Sequence, residues 1–268
     1  MINLFWYIEN FPRNKHNLGD TINPWLISQL SGGEEVLDTR LSRAKPSGTS
    51  TYISAAGSIF SLLNEKAIVW GTGLSKPQRM TKLKPHKILA VRGPKTRQEV
   101  LKRGWECPEV YGDTVLLLPK VYNPKIEKQY DVGIIPHYSD YTSEWVQLKK
   151  KEGMFVIDIT EEPLKVVDNI LKCRRILSSS LHGLVVADAY GIPSTWIRLS
   201  DNIPGGHFKF HDYFDSVNRT KDPHYDGYDL RGKPHIHILR VLQDEPLPMD
   251  IDLEPLMNCC PFKIDIKH

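Results

Sequence analysis

No stretch of this 268-residue chain approaches the roughly 20 consecutive apolar residues that a membrane-spanning helix needs. The opening Met1-Ile2-Asn3-Leu4-Phe5 lacks the basic region and small-residue cleavage site of a secretory leader, so the expected location is the cytoplasm. Cysteine is scarce: Cys107, Cys173, Cys259 and Cys260 show no C-x-x-C spacing, and the adjacent pair is poorly placed to bridge itself. Reduced thiols are therefore the default. A net charge of +3 is too mild for a nucleic-acid binder, whose basic residues would gather on a stripe. Lys149-Lys150-Lys151, the one tight basic run, reads as solvated surface.

The signatures of several enzyme classes are missing as well. No run completes a dinucleotide fingerprint or a P-loop, and no G-x-S-x-G elbow marks a serine hydrolase. His207 and His211 stand at helical spacing, and His235 and His237 alternate, but no carboxylate or thiolate completes a ligand set with them. No metal is expected.

What is present is an alternation of strand-length apolar runs with helix-period segments, the pattern of α/β architecture with parallel sheets. Strands are predicted at Ile2 to Ile8, Thr51 to Ser54, Ala67 to Trp70 and Lys87 to Val91, with another near Glu109-Val110-Tyr111. Helices are predicted over Thr21 to Leu30 and over Pro94 to Arg103, where proline stands at the first helical position and Gly104 lies just past the end. Between Pro119 and Tyr130 the sequence turns polar, which makes it the best linker. Strands then resume at Asp131 to Ile135, Met154 to Ile157, Arg175 to Ser178 and Ser194 to Leu199, with helices over Pro163 to Leu171 and after His182. The reading is of two Rossmann-like domains, 1–122 and 123–245, facing a cleft, and a proline-rich tail, 246–268, packed over the body or partly ordered.

Chemistry concentrates at the ends of the predicted strands, where open parallel sheets bind ligands. Ser178-Ser179-Ser180-Leu181-His182-Gly183 follows one strand and opens an amphipathic helix over Leu184 to Tyr190. It offers free backbone N–H groups, hydroxyls and an imidazole at a helix N-terminus, a setting that favours an anion such as phosphate or carboxylate. Asn17-Leu18-Gly19-Asp20, Gly57-Ser58, Gly71-Thr72-Gly73, Arg92-Gly93-Pro94, Gly112-Asp113 and Pro136-His137 fall at comparable positions. The glycines are also what turns of positive φ require. Arg92 can fork onto an oxyanion, or pair with a carboxylate to hold a helix. Lys209 stands between Phe208 and Phe210, a cation among apolar neighbours.

The order of these motifs, with Trp70 before Gly71 and with Lys209-Phe210-x-Asp212-Tyr213 closing the series, resembles the polysaccharide pyruvyl transferases. The likeness runs from about Asn17 to about Tyr213 and is closest to the bacterial enzymes that form pyruvate ketals in exopolysaccharide and capsule biosynthesis. It implies a glycosyltransferase-B-like frame, phosphoenolpyruvate as donor substrate with no separate cofactor, and a sugar hydroxyl pair as acceptor. Arg92 matches the family's arginine, His182 its motif histidine and Lys209 its downstream lysine. Many members carry arginine immediately before Leu-His, where this chain has Ser180.

The roles that follow are His182 as acid/base and Asp20 as the group that orients or deprotonates the acceptor. The donor falls to Arg92, Lys209, Ser179, Ser180 and Gly183, and the acceptor to Asn17, Asp113 and His137. Acceptor selectivity is expected in the loops at 40–48 and 73–84, and a lipid-linked sugar would bring the protein to the inner face of the membrane. Two other readings fit the same motifs: a nucleotide-sugar glycosyltransferase, and a non-catalytic sugar- or anion-binding protein.

Overall fold

The computed structural model describes residues 1–7, 17–39, 50–231 and 236–266. Expectations resting on Ile8, on the 40–48 loop and on the side chains of His235 and His237 lie outside these. The described residues form two five-stranded sheets, parallel throughout. The first contains β1 (Ile2–Leu4), β2 (Val36–Asp38), β3 (Tyr52–Ser54), β4 (Ala67–Trp70) and β5 (Lys87–Ala90), in the order β2-β1-β3-β4-β5. The second contains β6 (Tyr130–Ile135), β7 (Phe155–Val156), β8 (Cys173–Ser178), β9 (Ser194–Arg198) and β10 (Tyr228–Asp229), in the order β10-β9-β8-β6-β7. Strand order therefore reverses between β1 and β3 in one sheet and between β6 and β8 in the other. Such switch points open a crevice beyond the C-terminal strand ends. The Glu109–Tyr111 run makes a single parallel bridge, Val91 to Tyr111, rather than a strand.

Eight helices are described: α1 (Leu18–Leu30), α2 (Pro94–Leu101), α3 (Glu144–Lys151), α4 (Pro163–Leu171), α5 (Leu181–Ala189), α6 (Phe208–Ser216), α7 (Ile236–Gln243) and α8 (Glu254–Asn258). Helix α1 starts a turn before the sequence suggests, taking in Gly19 and Asp20, and it contains Pro24. Proline cannot donate to the carbonyl four residues back. The Asn23 side-chain amide takes over, donating to Asp20 O at 3.1 Å and to Gly19 O at 2.8 Å. Helix α5 is not amphipathic: every residue from Leu181 to Asp188 is buried. It is covered by β8, by α4 and by a 3-10 segment of the first half, Thr114–Lys120, whose residues Val115 to Leu118 are all buried. A helix buried all round needs no polar face.

The halves share one apolar core, running from Leu4 and Leu18 through Leu117 to Leu184 and Phe214. The polar segment expected to link them is tied to both. Tyr122 sits edge-on to Trp25 of α1, and its hydroxyl donates to Asp168 of α4 at 2.8 Å. The tail returns to the first half: Trp70 Nε1 donates to Leu256 O at 2.8 Å, Phe262 meets the same indole edge-on, and Asp265 N donates to Leu30 O.

Helix α6 braces the two halves. Asp212 receives Arg92 Nε at 3.1 Å and Nη2 at 2.9 Å, and both side chains are fully buried. Thr96 donates to the same carboxylate from its backbone N and its hydroxyl, each at 2.7 Å. A Cβ added at Gly93 would fall 1.8 Å from Asp212 O, so glycine is what lets α6 approach this closely. The next residue, Tyr213, donates to Asp188 of the second half at 2.8 Å, and Phe210 stacks on Trp196 of β9.

Removing one member of a buried pair strands the other charge, at a cost of about 3–5 kcal/mol. Asp212→Ala is expected to lose about that much unfolding free energy by urea denaturation; a loss below about 1 kcal/mol would show that the brace is dispensable.

Candidate active site

The loops beyond both switch points line a single cavity of about 340 Å³. Tyr7, Asn17 and Asp20 reach it from the β1 side, Ser58 and Ile59 from β3, His137 and Tyr138 from β6, and Ser180, Leu181 and His182 from β8. Lys209 of α6 completes the second-half wall, while Ser75 and Arg79 add to the first. Two helices begin here from opposite halves, with Asn17 as N-cap of α1 and Ser180 as N-cap of α5. The positive ends of both helix dipoles therefore point at the cavity and bias it toward an anion.

His182 is held between the halves. Its imidazole lies on Gly19, where an added Cβ would fall 1.8 Å from Nδ1. Nε2 is buried and faces Asp113 Oδ2 at 3.5 Å, and Asp113 is itself fully buried. The other Asp113 oxygen accepts from Val115 N at 3.1 Å, which fixes the carboxylate at the start of the Thr114–Lys120 segment. With Nε2 turned to the carboxylate, Nδ1 is the nitrogen left for a ligand. Asp113, read from the sequence as an acceptor contact, thus stands behind His182 rather than on the cavity wall.

His137 is pushed down to about 3, by burial first and then by the charges of Lys209 and His182, so it is a neutral imidazole in the folded protein. Ser139 N donates to its Nδ1 at 3.3 Å, which puts the ring proton on Nε2. The backbone N of His137 donates to Ser179 Oγ, and Ser179 Oγ donates in turn to Asp140, a buried carboxylate that also receives Ser200. Asn17 Nδ2 donates to Asp20 Oδ2 at 2.9 Å, orienting that carboxylate in the cavity.

Three residues expected on the donor lie elsewhere. Arg92 is fully buried and committed to Asp212, to Ser58 Oγ at 2.7 Å and to Leu74 O at 2.7 Å. Gly73 lacks the positive φ of Gly57, Gly71 and Gly112, and serves instead to admit this guanidinium, 2.4 Å from where its Cβ would be. Ser179 has no exposed surface and stitches two loops together. Gly183 faces the sheet, where a Cβ would meet Ser178 Oγ at 2.4 Å. Asp140, in an ordinary Tyr-Ser-Asp turn, escaped sequence reading, and Arg79 was reached only as part of the 73–84 loop expected to select the acceptor. His207 and His211 pack edge-on to Trp196, and among the described residues no cluster of three His, Cys, Asp or Glu side chains could hold a metal.

Below pH 6.5 the unfolded chain protonates His137 while the folded state refuses the proton until about 3. Stability should therefore fall with pH across that window, with His207 and His211, also lowered by burial, adding to the slope. His137→Asn keeps an acceptor near Ser139 and should flatten the urea-unfolding profile by up to one proton; an unchanged slope would mean that His137 is charged in the fold.

No helix among the described residues is long and apolar enough to cross a membrane. The chain is 29% identical over 228 residues to an uncharacterized protein, L143, of Acanthamoeba polyphaga mimivirus, covering 81% of this chain and 76% of the viral protein. It is 27% identical over 212 residues to the succinoglycan biosynthesis protein ExoV of Rhizobium meliloti, covering 77% of this chain but 63% of that protein. The family model for polysaccharide pyruvyl transferase matches residues 10–201, most of the chain and all of the cavity wall except Tyr7, Pro204 and Lys209. The chain belongs to the polysaccharide pyruvyl transferase family.

Proposed function

We propose that the protein is a phosphoenolpyruvate-dependent pyruvyltransferase that builds a cyclic pyruvate ketal on two hydroxyls of a sugar during polysaccharide assembly. The observation that carries this is His182, backed by buried Asp113, sharing one cavity with Lys209 between two facing switch points. The frame is of the glycosyltransferase-B-like kind, with acceptor loops in the first half and the donor's phosphate held by loops of the second. The cavity is at the small end of the range for drug-sized ligands, about 300–1,000 Å³. That suits a compact anion and the reacting end of a sugar better than a whole nucleotide sugar.

In this reading the donor phosphate lies against Lys209, Ser180 and the start of α5, where an ammonium and helix N–H groups complement it. His182 delivers a proton to the methylene carbon, which becomes the methyl group. The first sugar hydroxyl bonds to the central carbon and gives its proton to Asp20. The carbon–oxygen bond to phosphate then breaks, with phosphate taking the electron pair. The second hydroxyl closes the ketal, and its proton leaves with the phosphate. The proton held by Asp20 returns to His182 through solvent, so one donor and one diol yield one ketal and one inorganic phosphate with no redox change. Neutral His137 contributes an N–H donor without adding charge. The acceptor is a free or lipid-linked sugar, and a lipid-linked one would hold the protein at the cytoplasmic face of a membrane.

Positioned acid–base groups contribute about a hundredfold to ten-thousandfold in rate. His182→Ala should lose phosphate release and ketal formation by that factor while melting at the wild-type temperature. Asp113→Asn should lower kcat with little change in KM for the donor, because its carboxylate faces the imidazole from behind, is not among the residues that line the cavity, and the amide oxygen can still accept from Val115 N. Mass spectrometry of a panel of free and lipid-linked sugars, beside phosphate release, reads the outcome. Wild-type turnover by the purified His182→Ala protein, or turnover of a nucleotide sugar in place of phosphoenolpyruvate, would overturn the assignment.

A further inference from the structure

We propose that Arg79 binds the carboxylate of the donor, across the cavity from the subsite that Lys209, Ser180 and the start of α5 offer its phosphate. The inference rests on phosphoenolpyruvate being the donor, as proposed above.

A carboxylate and a phosphate together bring about three negative charges. Asp20 adds another to the same cavity. Against these, the permanently charged cations among the described lining residues are Lys209 and Arg79. Arg92 is spent on Asp212, and His137 is neutral. Among the described lining residues, Lys209 alone would match only part of the donor's charge in a partly desolvated site, where unmatched charge is costly.

Geometry gives Arg79 the means. It ends the 3-10 turn Pro77–Arg79, is exposed, and among the described residues its guanidinium makes no hydrogen bond or ion pair. The turn is anchored on both sides. Before it, Leu74 O accepts from Arg92 and Leu74 N donates to Thr96 Oγ1, so the segment departs from the same buried cluster that fixes α6. Ser75 lies against Gly205 of the second half, where an added Cβ would fall 2.4 Å from Ser75 O. After the turn, Met80 is buried and Thr81 Oγ1 donates to Leu63 O at 2.8 Å. An unengaged guanidinium on an anchored turn at a cavity mouth is preorganised for an anion.

The division between the two anionic groups follows from their shapes. A guanidinium presents two parallel N–H donors that match the two oxygens of a planar carboxylate. A tetrahedral phosphate is met as well by an ammonium point charge and a helix N-terminus, which is what the second-half wall supplies.

Calorimetric titration separates the possibilities. The probes are phosphoenolpyruvate and its primary carboxamide, which keeps the phosphate and removes the carboxylate charge. Arg79→Ala is expected to bind phosphoenolpyruvate at least about tenfold more weakly than wild type, at the level at which wild type binds the carboxamide. Its own affinity for the carboxamide should be unchanged. Arg79→Lys, which keeps the charge but not the fork, should recover part of the loss. Equal binding of phosphoenolpyruvate by wild type and Arg79→Ala, or an equal loss for both probes, overturns the inference while leaving the donor assignment standing. Failure of wild type itself to bind phosphoenolpyruvate overturns both.

Discussion

The buried pair between Arg92 and Asp212 is the constraint on which the site depends. It joins the end of β5 to α6 across 120 residues of sequence, and it does so beside Leu74 and Thr96, so three segments are fixed at one point. Asp212 and Tyr213 are neighbours in sequence yet reach opposite halves, one to Arg92 and the other to Asp188. Helix α6 is therefore held as a crosspiece, and Lys209, one turn earlier, is delivered to the cavity. A buried ion pair is a weak source of stability compared with apolar packing. Its use here is positional: it sets where Lys209 stands relative to the first-half wall of the cavity.

Electrostatics and sterics then converge on His182. Each half ends in a switch point, and the two switch points face each other, so α1 and α5 aim their N-termini into the same space. Gly19 lets the imidazole lie directly on α1, and Asp113 closes on it from behind. The tail supports that carboxylate: an added Cβ at Gly112 would fall 3.0 Å from Leu256 of α8, so the Gly112–Asp113 turn is packed from the far side. The histidine is thus gripped by both halves and steadied by the C-terminal segment, which ties its position to the closure of the whole molecule rather than to one loop.

Much of the frame was legible in the sequence because its signals are local. Ala67 to Trp70 and Pro163 to Leu171 were bounded by turn residues or by proline at a helix start, and they form the elements expected of them. Elements decided by distant contacts were not legible. Glycine disfavours a helix, so Gly19 hid the first turn of α1; the reason for it is an imidazole 163 residues downstream. The site residues divide in the same way. His182, Asp20, Asn17, His137, Ser180 and Lys209 reach the cavity as their positions at strand ends and helix starts suggested. Arg92 and Asp113 carry the same local signature but turn inward, because each has a buried partner that no local pattern reveals. Arg79 lay inside the 73–84 loop expected to select the acceptor, but nothing singled it out there, because an exposed arginine in a basic, polar loop looks like ordinary surface.

The central claim is that this cavity protonates phosphoenolpyruvate at its methylene carbon and hands the resulting centre to a sugar diol. Running the reaction with a competent sugar acceptor in deuterium oxide, and reading product and phosphate by NMR, tests it directly. The account predicts one inorganic phosphate per ketal and a ketal methyl group that carries a single solvent deuterium. Unconsumed phosphoenolpyruvate, or a product whose three-carbon unit carries no solvent deuterium, would contradict it.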